Sequence, residues 1–150
     1  MQEFQWFRAY VEKILEEAWN QPRVTPDEDG DYPYRYGTAA CYVRLVDGEP
    51  MTVCVTASAA TNILRSAKLL AELNEFNMRA RLVTSYWVDG CVVIDLGLQA
   101  EAVNAQTLTL ACAEVGQVAH DVGPLLAAMF DGRTPYPASD CADEIHRDER

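Results

Sequence analysis

The chain has 150 residues, enough for one ordinary domain with a sizeable core, and 49% of them are hydrophobic. Its 23 acidic residues outnumber 12 basic ones, and the resulting net charge of -11 disfavours nucleic acid and anionic membrane surfaces as partners. No apolar run approaches the roughly 20 residues that span a bilayer, and the acidic, amphipathic first 20 residues are unlike a signal peptide. We therefore predict a cytoplasmic protein.

The first half of the chain predicts one helix followed by three strands. Apolar residues between Phe4 and Ala18 recur at spacings of three and four, which places them on one helix face. An acidic loop follows, and Pro33 then favours an edge strand because it lacks the amide that a central strand needs. A two-residue turn at Asp47-Gly48 predicts a hairpin. The predicted strands are Tyr32–Tyr36, Ala39–Val46 and residues 50–57.

The second half predicts a helix, a second hairpin and a long last helix. The hairpin turns at Asp89-Gly90, and its register puts Val83, Trp87, Val92, Ile94 and Leu96 on one face. The last helix starts near Asn104 and ends at Asp131-Gly132. The other predicted elements are a helix over residues 61–76 and strands over 82–88 and 91–98.

This element order, α-β-β-β-α-β-β-α, predicts the fold class. Strands joined as two hairpins exclude an all-parallel sheet, so we expect an α+β fold with an antiparallel sheet packed with helices. Residues 1–132 form one domain in this interpretation. Residues 133–150 are charged and contain Pro135 and Pro137, so we expect them to form a polar, disordered tail.

Four short motifs in this order resemble one known family. They are residues 29–37 (DGDYPYRYG), 73–77 (LNEFN), 87–90 (WVDG) and 118–126 (VAHDVGPLL). Together they are similar to the YbjN and type III secretion chaperone-like proteins, particularly the actinobacterial branch described as peptide-binding chaperones. The resemblance implies the type III secretion chaperone-like fold, a homodimer that holds extended segments of partner proteins, and no catalytic residues.

Five tyrosines are the candidate partner-binding residues. Three of them alternate along the predicted edge strand, where an extended peptide can add to the sheet through main-chain hydrogen bonds. Tyrosine offers contact area and a polar tip at low entropy cost. Ordinary packing within the sheet is the alternative for each one. The candidates are Tyr32, Tyr34, Tyr36, Tyr42 and Tyr86.

Both faces of the predicted sheet carry apolar side chains. In the first hairpin Cys41, Val43 and Leu45 are predicted to point one way, and Val53 and Val55 the other. Three helices cover one face, so we expect an apolar patch to remain on the other, and such patches mark interfaces. The sequence therefore favours a homodimer as well as partner binding.

No arrangement of residues predicts a catalytic, cofactor or metal site. The Asp47-Gly48 turn places Cys41 opposite Cys54, where reduced thiols are expected in the cytosol and a redox-sensitive disulfide is the alternative. The histidines, His120 and His146, show no pairing with a nucleophile. Residues 27–31 lack the ligand spacing of a calcium loop, so we interpret them as a solvated acidic loop.

These observations favour a non-enzymatic, dimeric protein- or peptide-binding module with a chaperone-like or regulatory use. Its partner is a polypeptide whose identity the sequence does not give. One alternative is a scaffold domain whose dimerisation is its whole function. A small cysteine-dependent enzyme is the remaining alternative, and it lacks an identifiable nucleophile, base and cleft.

Overall fold

The computed structural model describes residues 2–138 and the main chain of residues 145–146. It confirms the predicted α+β class. The elements in chain order are α1 (Gln2–Ala18), β1 (Tyr32–Tyr36), β2 (Ala39–Val46), β3 (Thr52–Ala60), α2 (Ala67–Arg79), β4 (Thr84–Val88), β5 (Cys91–Gln99), α3 (Ala105–Met129) and β6 (Ile145–His146).

The strands form one antiparallel sheet in the order β4-β5-β3-β2-β1-β6. All three helices lie on one face, with α1 over the β1 end, α3 across the middle and α2 beside β4. Alternate residues of β1, β2, β3 and β5 point into this layer and are buried. Their partners point to the opposite side, which we call the open face.

Helix α3 approaches the sheet closely through two glycines. A Cβ at Gly116 would collide with the ring of Tyr36, and one at Gly123 would collide with the carbonyl oxygen of Ala59. The helix begins at a capping box in which Asn104 and Thr107 exchange side-chain to main-chain bonds of 2.9 Å. The Asn104 start predicted from the sequence is confirmed.

The register predicted for the β2–β3 hairpin is wrong. The connection is a five-residue loop over residues 47–51, because Pro50 lies in the loop and β3 begins only at Thr52. Cys41 consequently pairs with Ala57, and Cys54 with Arg44. The shift is an odd number of residues, so it moves every β3 side chain to the opposite face. Val53 and Val55 therefore share the helix-covered face with Val43 and Leu45.

The register predicted for the β4–β5 hairpin is confirmed. Asp89 and Gly90 have φ angles of 47° and 85°, as a tight two-residue turn between twisted strands requires. Val88 pairs with Cys91, and Trp87 with Val92. The predicted apolar face is the face that the helices cover, where Val92 and Ile94 are fully buried.

The start of α2 differs from the prediction. Strand β3 continues to Ala60, and the helix begins only at Ala67, after Ser66 caps it by accepting from the Leu69 amide at 3.1 Å. Leu64 lies inside the predicted helix but precedes the observed one, and its side chain is 86% exposed. The buried helix positions are Leu69 and Leu73.

The C-terminal residues that the structure describes pack on the domain. Arg133 forms an antiparallel bridge with Thr61, and residues 134–138 continue along the β1–β2 turn. Residues 139–144 and 147–150 of the predicted disordered tail lie outside the described residues. Among the described helices, none has the length and apolar character needed to cross a bilayer.

Candidate functional site

Strand β4 forms one edge of the sheet, and the side chain of Asn77 covers it. The Ser85 amide donates to Asn77 Oδ1 at 2.7 Å, and Asn77 Nδ2 donates to the Ser85 carbonyl oxygen at 3.0 Å. The Ser85 hydroxyl donates to the same Oδ1 at 3.1 Å and to the Leu73 carbonyl at 3.3 Å. A neighbouring strand would offer the same donor and acceptor, so Asn77 takes the place of such a strand at Ser85.

Strand β1 lies at the opposite end of the sheet, and its outer side pairs with main chain. Tyr36 and Ala39 flank a two-residue turn and form a hydrogen-bonded pair, so the main-chain groups of Arg35 point away from β2. Strand β6 runs antiparallel to β1 there, opposite Arg35 and Tyr36. Pro33, two residues earlier, has no amide to donate. This edge therefore accepts an extended segment at Arg35.

The three tyrosines of β1 point into the core instead of lining an exposed edge. Tyr32, Tyr34 and Tyr36 are 0%, 1% and 8% exposed. The Arg8 guanidinium donates to the Tyr32 hydroxyl at 2.8 Å, while the Tyr34 hydroxyl donates to the Cys112 carbonyl at 2.8 Å. Burial raises the pKa of Tyr34 well above 10, which keeps this donor protonated. These three side chains therefore pack within the domain, which was the alternative to partner binding, and in this structure none is exposed to contact a partner.

The other two candidate tyrosines lie on the open face. Tyr86 is 43% exposed, and Tyr42 is partly buried opposite Thr56. The face between them is mixed rather than apolar, because the corrected β3 register replaces the expected valines with polar residues. These polar residues are Arg35, Arg44, Thr56, Ser58, Thr84 and Asp95.

Asp95 occupies the middle of the open face, with Thr56 and Thr84 on the neighbouring strands. Partial burial raises the pKa of its carboxyl group above the usual value, although a hydrogen bond from the Leu96 amide acts in the opposite direction. The expectation of a wholly apolar second face was wrong.

An apolar groove opens on the helix side between α2 and α3. Its volume is about 440 Å³, and its floor is formed by Val83 and Ile94 of the sheet region. Leu82 and Leu125 line it and are 68% and 61% exposed. The remaining apolar lining consists of Leu73, Ala80, Phe76, Val118, Val122, Leu126 and Met129. Exposed apolar side chains around a concave surface are typical of an interface.

The rim of this groove carries charges in a fixed order. Glu72 and Glu75 lie on α2, whereas Arg79 and Arg81 lie at and just beyond its last turn. Arg79 contacts Glu75 at 3.4 Å, but both side chains are largely exposed and the pair holds little energy. Along α2 the rim is therefore acidic before the last turn and basic at its end, and Glu114 of α3 adds another acidic group to the lining.

The two buried cysteines among the described residues, Cys41 and Cys112, lack the surroundings of a nucleophile. Burial raises the pKa of Cys41 and of Cys112 to about 12, so both thiols stay protonated at neutral pH. His120 does not act as a base for either thiol, because its Nδ1 accepts a hydrogen bond from the Thr38 amide at 3.2 Å. Cys41 and Cys54 point to opposite faces, so the predicted cross-strand pair does not form.

The acidic loop is only partly solvated. Asp27 Oδ1 accepts from the amides of Asp29 and Asp31 at 2.9 Å each, which folds the loop on itself. The Asp31 side chain is buried, with 5% of the residue exposed. Its Oδ1 accepts a hydrogen bond from Arg44 Nε at 2.9 Å, and its Oδ2 accepts one from Arg44 Nη2 at 2.8 Å. Arg44 is thus paired with a carboxylate that the sequence placed in solvent. Within residues 2–138, no three His, Cys, Asp or Glu side chains converge as metal ligands would.

The chain matches a known family over most of its length. Residues 5–138 match TY-Chap1, described as T3SS (YopN, CesT) and YbjN peptide-binding chaperone 1. The match confirms the family resemblance seen in the four motifs. No curated protein matches the chain at the level of sequence.

Three solved structures share the fold at low sequence identity. One chain of the ExsC–ExsE complex aligns with a TM-score of 0.65 and 16% identity, over 79% of this chain and 94% of that one. One chain of the HopA1–SchA chaperone–effector complex aligns with a TM-score of 0.62 and 9% identity, over 81% of this chain and 98% of that one. One chain of the complex between the Yersinia pestis type III secretion chaperone SycH and a stable fragment of YscM2 aligns with a TM-score of 0.56 and 12% identity. The alignment covers 75% of this chain and 96% of that one.

Proposed function

The chain belongs to the family of T3SS and YbjN peptide-binding chaperones, and we propose that it holds an extended segment of a partner polypeptide along the outer edge of β1. The proposal rests on the hydrogen-bond partners of the outward main-chain groups at the two edges of the sheet. The β1 edge pairs with extended main chain at Arg35 and Tyr36, whereas the β4 edge is covered by Asn77. Strand addition supplies affinity through the main chain and so tolerates varied partner sequences.

The open face beside β1 would supply selectivity. A strand added to β1 alternates its side chains between the helix layer and the open face. Those on the open face meet Arg35 and lie one strand away from Tyr42. Of the two open-face tyrosines, Tyr42 on β2 remains a proposed contact, whereas Tyr86 on β4, at the other end of the sheet, has no contact with an added strand in this proposal.

A substitution that removes one main-chain donor tests the edge directly. Random 12-residue peptides displayed on phage are selected against the full chain, and the affinity of an enriched peptide is measured by fluorescence anisotropy. Arg35→Pro removes the outward amide and leaves the β1–β2 bonds intact, as Pro33 already does two residues earlier. Arg35→Ala is the matched control, since it changes the same side chain and keeps the amide.

We expect Arg35→Pro to bind the peptide about 5-fold more weakly than Arg35→Ala, because one main-chain hydrogen bond contributes about 1 kcal/mol. Equal affinities for the two variants would contradict strand addition at β1. Failure to enrich any peptide would instead favour the scaffold alternative, in which the chain only dimerises.

The groove between α2 and α3 supports the second part of the proposal, a homodimer. Across a two-fold axis perpendicular to α2, the two copies of the helix run antiparallel, so the acidic end of one α2 faces the basic end of the other. Glu72 and Glu75 would then meet the partner's Arg79 and Arg81 while the exposed leucines become buried. A second copy of the chain is thus the occupant that fits both the apolar lining and the charge order.

Sedimentation equilibrium of two leucine variants tests this dimer. Leu125 and Leu110 are both on α3 and both 61% exposed, but only Leu125 lines the groove. We expect the wild-type chain and Leu110→Glu to sediment as dimers and Leu125→Glu as a monomer, since a buried carboxylate opposes association. A monomeric wild-type chain, or equal behaviour of the two variants, would contradict the proposed interface.

Binding rather than catalysis is the mode of action in this proposal, with the cytoplasm as the site. The protonated, buried thiols of Cys41 and Cys112 and the family membership support the first point. The acidic composition and the free cysteines of the described residues are consistent with the second.

A further inference from the structure

Two arginine side chains lie on the open face at the β1 side of the sheet, and their hydrogen bonding differs. Arg44 of β2 is paired through both Nε and Nη2 with the carboxylate of Asp31. Arg35 of β1 donates from Nε to the Gly37 carbonyl at 2.9 Å. Among the described residues, Arg35 Nη2 is buried without a hydrogen-bond partner. One of the two guanidinium groups therefore has its carboxylate, and the other lacks an acceptor.

The Arg35 guanidinium is held in place by a second contact that supplies no acceptor oxygen to Nη2. The Tyr136 ring centroid lies 4.3 Å from Arg35 Cζ, and a cation at this distance from an aromatic ring is attracted to it. A buried donor without an acceptor costs free energy, and the cost is larger for a charged group. An additional acceptor beside Nη2 would thus stabilise the side chain where it lies.

A strand added to β1 brings one side chain directly beside Arg35. The outward main-chain groups of Arg35 pair with an antiparallel strand, and the structure shows this register with His146 opposite Arg35. Side chains of directly opposite residues share one face of the sheet, and their Cβ atoms are about 4.5–5.5 Å apart. The partner residue opposite Arg35 therefore points to the open face, within reach of the guanidinium.

We propose that the partner segment held along β1 carries an acidic residue opposite Arg35, and that its carboxylate accepts a hydrogen bond from Arg35 Nη2. The inference rests on the proposed function and adds the chemical class of the residue that selects the partner. A carboxylate fits because charge-assisted hydrogen bonds to guanidinium are strong, as the Arg44 pair with Asp31 illustrates. A basic residue at the same position would meet a like charge and be rejected.

The net charge of the chain does not prevent this contact. The value of -11 describes charges spread over the whole molecule, and at physiological ionic strength exposed charges more than about 8 Å apart are largely screened from one another. The Arg35 guanidinium acts at hydrogen-bond distance, where screening is weak. We therefore expect a preference for an acidic residue at one position of the partner and not for an acidic partner as a whole.

Parallel selections test the inference without a known partner. The random phage library is selected against the full-length wild-type chain, Arg35→Ala and Arg65→Ala. Arg65 is the charge-matched control, because it is exposed and follows Ile63, whose amide binds the β4–β5 turn. We expect Asp or Glu to be enriched at one position of the peptides that the wild-type chain and Arg65→Ala select. Peptides selected by Arg35→Ala should lack this enrichment.

A conservative change in the peptide measures the contact on an unaltered protein. An enriched peptide is synthesised with its acidic residue or with the corresponding amide, and both forms are titrated by fluorescence anisotropy. We expect the wild-type chain to prefer the acidic form about 5-fold, as one partly enclosed charge-assisted hydrogen bond would give. Arg35→Ala should bind the two forms equally. Circular dichroism melting verifies that both arginine variants are folded.

The inference would be overturned by selections without acidic enrichment, by the same enrichment with Arg35→Ala, or by equal affinity of the wild-type chain for the acidic and amide peptides. Each of these results would mean that a partner supplies no carboxylate to Arg35. Failure of the inference is distinguishable from failure of the proposed function. Peptides that lose affinity in Arg35→Pro but show no acidic preference would leave strand addition at β1 standing. Failure to enrich any peptide would overturn both.

Discussion

At one end of the sheet, β4 presents the main chain of Ser85 to the side-chain amide of Asn77; at the other, β1 presents the main chain of Arg35 to an extended stretch of chain. In both arrangements the outward main-chain groups of an edge strand have hydrogen-bond partners, but the two partners differ in how easily another polypeptide displaces them. Asn77 is held by a helix, so its amide meets Ser85 without ordering any further residues. A short strand is held by few contacts, and a segment of another polypeptide offers the same groups.

The comparison teaches where a sheet protein of this kind can bind main chain. In the proposed mode of binding, the Asn77 amide at Ser85 disfavours strand addition to β4, and an incoming strand pairs with β1 instead. It also explains why one edge needs no tyrosine anchors. The tyrosines of β1 contribute to the core, so the proposed strand addition relies on the main chain and on residues of the open face such as Arg35.

The largest expected effect concerns the role of the β1 tyrosines. Tyr34→Ala removes a fully buried ring and its hydrogen bond to Cys112, and we expect the free energy of unfolding to fall by about 3–5 kcal/mol. Tyr86→Ala on the open face should cost less than about 1 kcal/mol. Urea denaturation measures both. A Tyr34→Ala variant as stable as Tyr86→Ala would show that β1 does not pack as described.

The next largest effect is expected from removing the Asn77 side chain that pairs with the main chain of β4. Asn77→Ala leaves the Ser85 amide and carbonyl without their partner, and we expect a loss of about 2–3 kcal/mol in urea denaturation. Light scattering should also detect self-association through the uncovered β4 edge.

Asn74 is the matched control for this variant, since it lies on the same helix and its side chain contacts only the Met78 sulfur, at 3.8 Å, among the described hydrogen bonds. Asn74→Ala should change stability by less than about 0.5 kcal/mol. Similar losses for the two asparagines would remove the proposed difference between the edges.

The smallest effect concerns the open face between the two edges. Burial raises the pKa of Asp95, so the folded state binds its proton more tightly than the unfolded chain does. The stability from this group is present below its unfolded pKa and is lost as pH rises through its higher folded pKa. Asp95→Asn should therefore gain about 0.5 kcal/mol at pH 7, a small value because the carboxyl is partly solvated, and nothing at pH 3.

Urea midpoints at the two pH values measure this gain, with Asp47→Asn in the exposed β2–β3 loop as the control. An equal gain from Asp95→Asn at both pH values would mean that the effect is not electrostatic and that the face around Asp95 is open to water.

The sequence predicted what local chemistry controls. The bounds of β1 and β2, the Asp89-Gly90 turn and the Asn104 helix start all follow from short-range signals, and each is confirmed. The β2–β3 register failed because Asp47-Gly48 has the composition of a two-residue turn but lies in a longer loop. That single error reversed the faces of β3 and made the open face look apolar.

The site was harder to predict because it depends on contacts between distant elements. Arg35 and Tyr136 are 101 positions apart in the chain, and no periodicity joins them. Asn77 did carry a signal: it follows Leu69, Leu73 and Phe76 on the inward side of α2, where a polar side chain needs a partner. The partner, Ser85, is visible only once β4 is placed beside the helix.

Photo-crosslinking from the two edges tests the central claim most directly. Benzoylphenylalanine is introduced in place of Pro33 on β1 or of Thr84 on β4, both on the open face of an outer strand. Each chain is irradiated with the phage-selected peptide, and the adducts are quantified by mass spectrometry. The account predicts adducts from position 33 and none above background from position 84. Adducts of equal yield from both positions, or from position 84 alone, would contradict it.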